Sequence, residues 1–540
     1  MWGVKEAKRG VFFKGFVYLA IVYICIYCFS LKLSATGFVP IRNAFLGLSM
    51  LASFVWVLYI LPSRLGKWLL NALVGVSFLC LIVDTFCWIY FDTSINVAML
   101  FAVFETTLNE GLGFFQLYFD WKSVLVVLGS IFFTWLYYRL YHPRIGKSLS
   151  IVCSLFVLFG WINIVIEIKS AFSPSYSYYA RQNVNFIEPL RLLFSSKYVL
   201  GSKDEMKKAF QEQYKAMMDN PIKLSLASNP IENIVLLLGE STQRGHMAIY
   251  GYSRATTPNL SRLSQTKNLL VFDDVISAHT QTSTSTPKIF SLTNYENEKD
   301  KPWYQMHNIV SFFRAAGYST IWLSNQEPSV YVTPAGMLAS ISHQSTFVSK
   351  AKQQYDEELL PLVESKNEQL QFMVIHLIGT HGAYNERYPT GFGKFDALST
   401  SIKERQRSLY DNAVFYNDYI VNEIFQKFSK SDSIVIYLSD HGEEIYELDD
   451  FIGHGEGRIT RFTCEVPMLV YVSDLFIQKH PKLYEKLKAS IHRPYMSDDL
   501  IHTILEIAGI ETEEFDPTRS IINEKFNPQR TRIVGGGGWC

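Results

Sequence analysis

The stretch SIVIYLSDHGEE carries an apolar run, Ser433 to Leu438, into an acid and an imidazole on adjacent residues, Asp440 and His441. A hard carboxylate oxygen beside a neutral imidazole nitrogen suits a divalent ion such as zinc, and the C-terminal edge of an α/β sheet is where such sites collect. Taken singly, an Asp-His pair after a strand is more often a helix N-cap next to a surface histidine. Its partners must therefore come from elsewhere in the chain.

Other apolar runs end in the same manner. IVLLL (234–238) is followed by Gly239, Glu240 and Ser241, STIWL (319–323) by Ser324, Asn325 and Gln326, and FMVIHL (372–377) by Gly379, Thr380, His381 and Gly382. Together with SIVIYL (433–438) and MLVYV (468–472) these runs are continuous rather than alternating, the pattern of parallel strands covered on both faces. Helical segments such as Asn308 to Ala316 and Leu409 to Phe428 lie between them. The expectation is an α/β domain with a mainly parallel central sheet whose strand ends bring ligand-type residues to one edge, around a metal.

A nucleophile is offered by SAHTQTSTSTPKIFSL, where Thr280, Thr282, Ser283, Thr284, Ser285 and Thr286 precede Pro287 and a helix. Alone, this is a hydroxyl-rich loop with N-caps. Next to zinc its meaning changes, because an alcohol oxygen beside the ion loses its proton near neutral pH and attacks phosphorus in line.

The chain has 540 residues, more than one core organises, and 48% hydrophobic with 15% aromatic residues is high for a soluble enzyme. Two domains follow. With 50 basic and 50 acidic residues the formal net charge is zero, so no global field recruits nucleic acid. Apolar stretches at 11–31, 43–62, 68–91, 123–138 and 149–168 approach membrane-spanning length, which predicts five transmembrane helices in residues 1–169.

Basic residues set the orientation. Lys5, Lys8 and Arg9 precede the first span, Arg64 and Lys67 separate the second and third, and Arg139, Arg144 and Lys147 separate the fourth and fifth, so these ends are cytoplasmic. The loop from Asp92 to Asp120 is acidic, with no Lys or Arg. Everything after about residue 169 then lies outside the cytoplasm: the expectation is a multi-pass protein of a bacterial inner membrane with its catalytic domain in the periplasm.

Residues 170–230 read as a connector, with IEPLRLLFSSKYVL as a membrane-surface helix or a linker helix and Lys203 to Met218 as a charged amphipathic one. The catalytic domain is expected over 231–534 and a flexible glycine-rich tail over 535–540. Five cysteines fall in apolar spans, leaving Cys464 and Cys540, which could form a single bridge.

The segments GESTQRGHMAIYGYSRATTPNL, TSTSTPKIFSL, LIGTHGAYNERYP and LSDHGEE together resemble the phosphoethanolamine transferases of Gram-negative bacteria, a membrane branch of the alkaline phosphatase superfamily. The resemblance implies an α-helical membrane domain joined to an alkaline-phosphatase-like α/β domain. It implies one zinc, with a second open, held by Glu240, Thr282, Asp440 and His441, with Thr282 rather than Thr280 as nucleophile. His381 and His454 match histidines that contact the phosphoryl group or a second metal, and Gln326 or Asn325 matches an amide of the same pocket. In the outward loop, Thr106 and Glu110 match a pair that could hold the donor's ammonium, although Ala102 stands where relatives often have asparagine.

The implied reaction takes phosphoethanolamine from phosphatidylethanolamine, releases diacylglycerol, and passes the group from a threonine intermediate to lipopolysaccharide or another envelope glycan. Relatives that modify lipid A bracket the nucleophile loop with cysteines, where this chain has Ala278 and Lys288, so the resemblance leans toward those acting on core heptose. A glycerophosphate transferase of the lipoteichoic acid synthase type shares the architecture but not the signature after Glu240. A sulfatase or related hydrolase would need arginine where Ile289 stands, two residues after Pro287. A non-catalytic scaffold would have lost the four ligands.

Overall fold

The structure is a computed structural model, and it describes residues 2–30, 38–91, 95, 97–106, 111–112, 114–115, 118–140, 157–162, 188–220, 222–326, 333–348, 355–395, 401–455, 458–535 and 538–540. By contacts the chain divides into two compact units, one of residues 1–103 with 118–202 and the other of residues 104–117 with 203–540.

The first unit is helical. Trp2–Ser30, Phe38–Ile60, Ser63–Phe91 and Trp121–Leu140 are long helices of mostly apolar residues. Small residues let them approach: a Cβ on Gly66 would meet the Leu58 carbonyl at 2.2 Å, and one on Gly47 would meet the Tyr23 hydroxyl at 2.0 Å. Polar side chains close the remaining gaps, as where the Ser53 hydroxyl donates to the Val157 carbonyl at 2.7 Å. Two helices, Ser63–Phe91 and Trp121–Leu140, are long and apolar enough to cross a membrane, while the apolar stretches Gly10–Ile26 and Phe45–Ile60 are shorter. Of the five expected spans, two therefore pass on length and composition among the described residues. The expected fifth span, 149–168, is described only over 157–162, which is helical.

The connector differs from expectation too. Its two predicted helices are one continuous helix, Glu188–Asp219, which runs through Gly201 and Ser202 with no proline after Pro189 to break it.

The second unit is built on a seven-stranded sheet: β1 (Asn233–Gly239), β2 (Leu269–Phe272), β3 (Ser319–Ser324), β4 (Gln344–Phe347), β5 (Gln371–His376), β6 (Ser433–Ser439) and β7 (Met468–Val472), in the order β2-β7-β6-β1-β5-β3-β4. Residues of β1 alternate between two cores. Ile234, Leu236 and Leu238 face one, with Phe312, Trp322 and Leu500, while Val235 and Leu237 face the other, with Tyr410, Val414 and Ile424 of the helix Ile402–Lys427. A fully buried aliphatic side chain contributes about 1.5–3 kcal/mol, so a strand covered on both faces is apolar at every position.

Five strands, β6, β1, β5, β3 and β4, run parallel, the first four as the runs predicted. MLVYV does not: β7 pairs antiparallel with both β6 and β2. Burial on both faces dictates apolar residues whichever way a strand runs, so its composition carries no direction. The predicted helix at Asn308 is present as Ile309–Ala315, closed by a reciprocal capping box between Asn308 and Ser311.

The end of the chain also corrects an expectation. Among the described residues of the expected flexible tail, Cys540 is disulfide-bonded to Cys464, with Cα atoms 6.3 Å apart, and Gly538–Trp539 pairs antiparallel with Ile533–Val534.

Candidate active site

Strand register places the site. Gly239 pairs with Ser439, and Leu238 pairs with both Leu438 and His376, so β1, β5 and β6 stop at one level and their next residues emerge together. Glu240 and Asp440 thereby become neighbours, although 200 residues apart. After Glu240 the backbone turns through Ser241 at φ +56°, a left-handed conformation costly for a residue with a Cβ. The turn is held from several sides. The Thr242 amide donates to Ser439 Oγ at 2.8 Å, and Thr380 Oγ1 donates to the Ser241 carbonyl at 2.9 Å. Gly379, at φ +52°, passes so close that a Cβ would lie 2.8 Å from the Glu240 carbonyl oxygen.

Three ligand atoms of Glu240, Asp440 and His441 lie within 4.8 Å of one another, all on buried residues. Asp440 Oδ1 accepts the amides of His441 at 2.8 Å and Ser241 at 3.2 Å, which aims Oδ2 at His441 Nε2, 3.5 Å away; Oδ2 is buried with no hydrogen-bond partner. His441 Nδ1 bonds the Gly442 carbonyl at 2.8 Å, so its lone pair is on Nε2, 3.2 Å from Glu240 Oε1. Thr282 completes the cluster. Its hydroxyl lies 3.1 Å from each Glu240 carboxylate oxygen and 3.2 Å from His441 Nε2.

These residues fit zinc. Tetrahedral coordination with bonds of about 2.0–2.1 Å separates ligand atoms by about 3.3 Å, close to the distances above. The orphaned Asp440 oxygen and the Nε2 lone pair are the donors such an ion takes up. Electrostatics agree: burial, then the charge of Glu240, pushes Asp440 up to about 8. For His441, burial opposes the charged form, yet Asp440 and Glu240 raise it to about 10. Burial also opposes charge on Glu240, but His441 holds it well below the carboxylate range. Two acids and an imidazole so close keep protons that a divalent cation would replace.

Thr282 is also the first residue of the helix Thr282–Phe290, after the N-cap Gln281. The helix starts before Pro287, earlier than the sequence suggested, so the nucleophile candidate sits at the positive end of a helix dipole, where phosphoryl charge is stabilised. Thr280 is turned elsewhere, donating to the Gly455 carbonyl at 2.9 Å.

His454 and His381 line up beyond His441, with ring centroids 4.1 Å from His441 to His454 and 6.1 Å from His454 to His381. Gln326 reaches the cluster, its amide nitrogen 3.3 Å from Glu240 Oε2. The Asn325 amide instead donates to Asp356 Oδ1 at 2.8 Å. Thr106 follows the helix Val97–Glu105 and is exposed, and Glu110 lies outside the described residues.

Glu443 was not among the predicted site residues. Buried, it binds His454 Nδ1 at 2.5 Å through one oxygen and accepts the Tyr384 hydroxyl through the other, which fixes the His454 tautomer with its lone pair on Nε2. The only hint in sequence is its place two residues after His441, since a glutamate in Gly-Glu-Glu ordinarily faces solvent.

The family described as Sulfatase matches residues 232–510, just over half of the chain. This chain belongs to the sulfatase family, and it is an enzyme. Its relatives there are phosphoethanolamine transferases: EptC of Escherichia coli is 29% identical over 90% of this chain and 88% of its own length, and CptA of Salmonella typhimurium is 29% identical over the same shares. The crystal structure of the C-terminal periplasmic domain of Escherichia coli EptC in complex with zinc matches 58% of this chain and 92% of that domain, at 28% identity and a TM-score of 0.53. The integral membrane protein lipooligosaccharide phosphoethanolamine transferase A of Neisseria meningitidis shares the fold over 94% of this chain and 98% of its own, at 18% identity and a TM-score of 0.58.

Proposed function

We propose that this enzyme transfers phosphoethanolamine from phosphatidylethanolamine to lipopolysaccharide or another envelope glycan, through a covalent intermediate on Thr282. The observation that carries the reading is the hydroxyl of Thr282 within 3.1–3.2 Å of Glu240 and His441 at a helix N-terminus. Names of relatives that span nearly the whole chain support the transferred group.

Glu240, Thr282, Asp440 and His441 would hold zinc, which supplies Lewis acidity that lowers the pKa of the hydroxyl and offsets negative charge on the phosphoryl group. In the first step the Thr282 oxygen forms a bond to phosphorus as the bond from phosphorus to the glycerol oxygen breaks, and diacylglycerol leaves with a proton. Glu240, the acceptor of the Thr282 hydrogen bond, orients the attacking lone pair. In the second step an acceptor hydroxyl gives up its proton and displaces Thr282. His454, oriented by Glu443, and His381 are placed to move those protons. The dipole of the Thr282–Phe290 helix stabilises the developing charge.

A lipid donor explains the apolar helical unit, which anchors the chain in an inner membrane with the sulfatase-like domain on the periplasmic side. Sulfate-ester hydrolysis is less well supported: Ser285 is buried and donates to the Asp440 carbonyl, and Ile289 stands in place of the arginine that chemistry requires. The test is transfer in vitro. Purified enzyme, with phosphatidylethanolamine labelled in its ethanolamine, should release diacylglycerol and label lipopolysaccharide; release of free phosphoethanolamine with an unlabelled acceptor would instead mark a hydrolase.

A further inference from the structure

The sequence Gly535 to Gly538 looks like a linker, yet the residues on either side of it are tied to the loops that carry the catalytic groups. We propose that the paired segments Ile533–Val534 and Gly538–Trp539, fastened by the Cys464–Cys540 disulfide, are a positioning strap that holds the nucleophile loop and the His454 loop at their working spacing. It rests on the reading of Thr282 as nucleophile. The strap touches no reacting atom and acts through Ala278, Ile459 and Cys464.

Its contacts run to three loops of the site. The Gly535 amide donates to the Ala278 carbonyl at 3.0 Å, four residues before Thr282. Val534 is buried in a small apolar cluster with Ile276, Ala278, Cys464 and Met496, and Ile459 packs against it. Gly538 faces Ile459, five residues past His454, so closely that a Cβ would come within 2.4 Å of its Cδ1 atom. The bonded partner, Cys464, ends the short helix Arg461–Cys464, and its carbonyl accepts the Ser277 amide at 2.8 Å. Its neighbour Thr463 accepts the amide of Gly442, next to His441, also at 2.8 Å. The two loops are also joined directly where Thr280 donates to Gly455.

This cluster is separate from the two cores that flank the sheet, so loosening the strap leaves the sheet packed. The loop's other end is secured independently. Lys288, buried at the far end of the nucleophile helix, pairs with Glu298 at 2.6 Å. An ion pair thus holds the Lys288 end of the nucleophile segment, and the strap holds the Ala278 end. Misplacing a reacting group by about 1 Å can cost about a hundredfold in rate, which is why a remote tether bears on turnover.

The full chain, in detergent and loaded with zinc, is compared with its Cys540→Ser variant and with a variant lacking residues 535–540. The expected result is faster amide hydrogen exchange, by about fivefold or more, in peptides covering 277–283 and in the peptide carrying His454, with the helix Leu500–Ala508 as protected as before. Turnover should fall about tenfold with the KM for phosphatidylethanolamine unchanged. Wild-type exchange in both peptides for both variants would overturn the proposal, as would a raised KM with kcat unchanged, which marks a substrate contact instead. Faster exchange in the variants, in a protein whose wild type forms no adduct from phosphatidylethanolamine, would uphold the strap and reject the assigned reaction.

Discussion

The hydroxyl of Thr282 lies 3.1 Å from both carboxylate oxygens of Glu240, so one alcohol is presented to a two-oxygen acceptor at the end of a buried strand. Glu240→Gln keeps the shape and removes the charge. Zinc affinity, measured by competition with a chromophoric chelator, should fall by about a hundredfold or more, and transfer should fall at least as far. Wild-type zinc affinity in this variant would show that the metal set lies elsewhere.

Glu443 should matter only through His454. Glu443→Gln still fills the space but no longer favours the Nδ1–H tautomer, so kcat is expected to fall about 10–100-fold with little change in KM. Tyr384→Phe removes one hydrogen bond to Glu443 and should cost much less. Steady-state kinetics on both variants separate the two. Equal losses would contradict an orienting role for the carboxylate.

His376 predicts an acid-sensitive fold. At the end of β5 it is buried with no hydrogen-bond partner on either ring nitrogen, and burial holds its pKa down at about 4, against an ordinary value of 6.5. Between those values the unfolded chain binds a proton that the folded one refuses. This residue's contribution to stability is therefore undiminished above about pH 6.5 and is lost as pH falls toward 4. His376→Leu should gain on wild type across that window, by up to about 3 kcal/mol, in denaturant titrations. A difference independent of pH would mean the imidazole is hydrated in the folded state.

Much of this was legible in residues. The ends of β1, β5 and β6 announced Glu240, His381 and the Asp440-His441 pair because parallel strands buried on both faces are unbroken apolar runs, and their last residues are the first that can be polar. What escaped had local reasons. Leu269–Phe272 is too short to stand out, and Gln344–Phe347 is a partly exposed edge strand of polar residues. The antiparallel course of Met468–Val472 is set by its neighbours. Glu443 and the segment after Val534 acquire meaning only from partners distant in sequence.

Gly379 is a place where one methyl group should be costly. Its φ of +52° disfavours any side chain, and an added Cβ would press on the backbone of Glu240 at 2.8–2.9 Å. Gly379→Ala is expected to destabilise the fold by about 1–3 kcal/mol and to weaken zinc binding, because relief requires Glu240 to move. Thermal melts with and without zinc give both effects. Lost stability with unchanged zinc affinity would show that the strain is absorbed away from the metal set.

The central claim is that Thr282 carries the group in transit. Intact-protein and peptide mass spectrometry after incubating the zinc-loaded enzyme with phosphatidylethanolamine, without an acceptor, reads it directly. The account predicts a phosphoethanolamine adduct on Thr282 that is absent from Thr282→Ala and disappears when lipopolysaccharide is added. A glycerophosphate adduct, an adduct on another residue, or transfer by Thr282→Ala at the wild-type rate would contradict it.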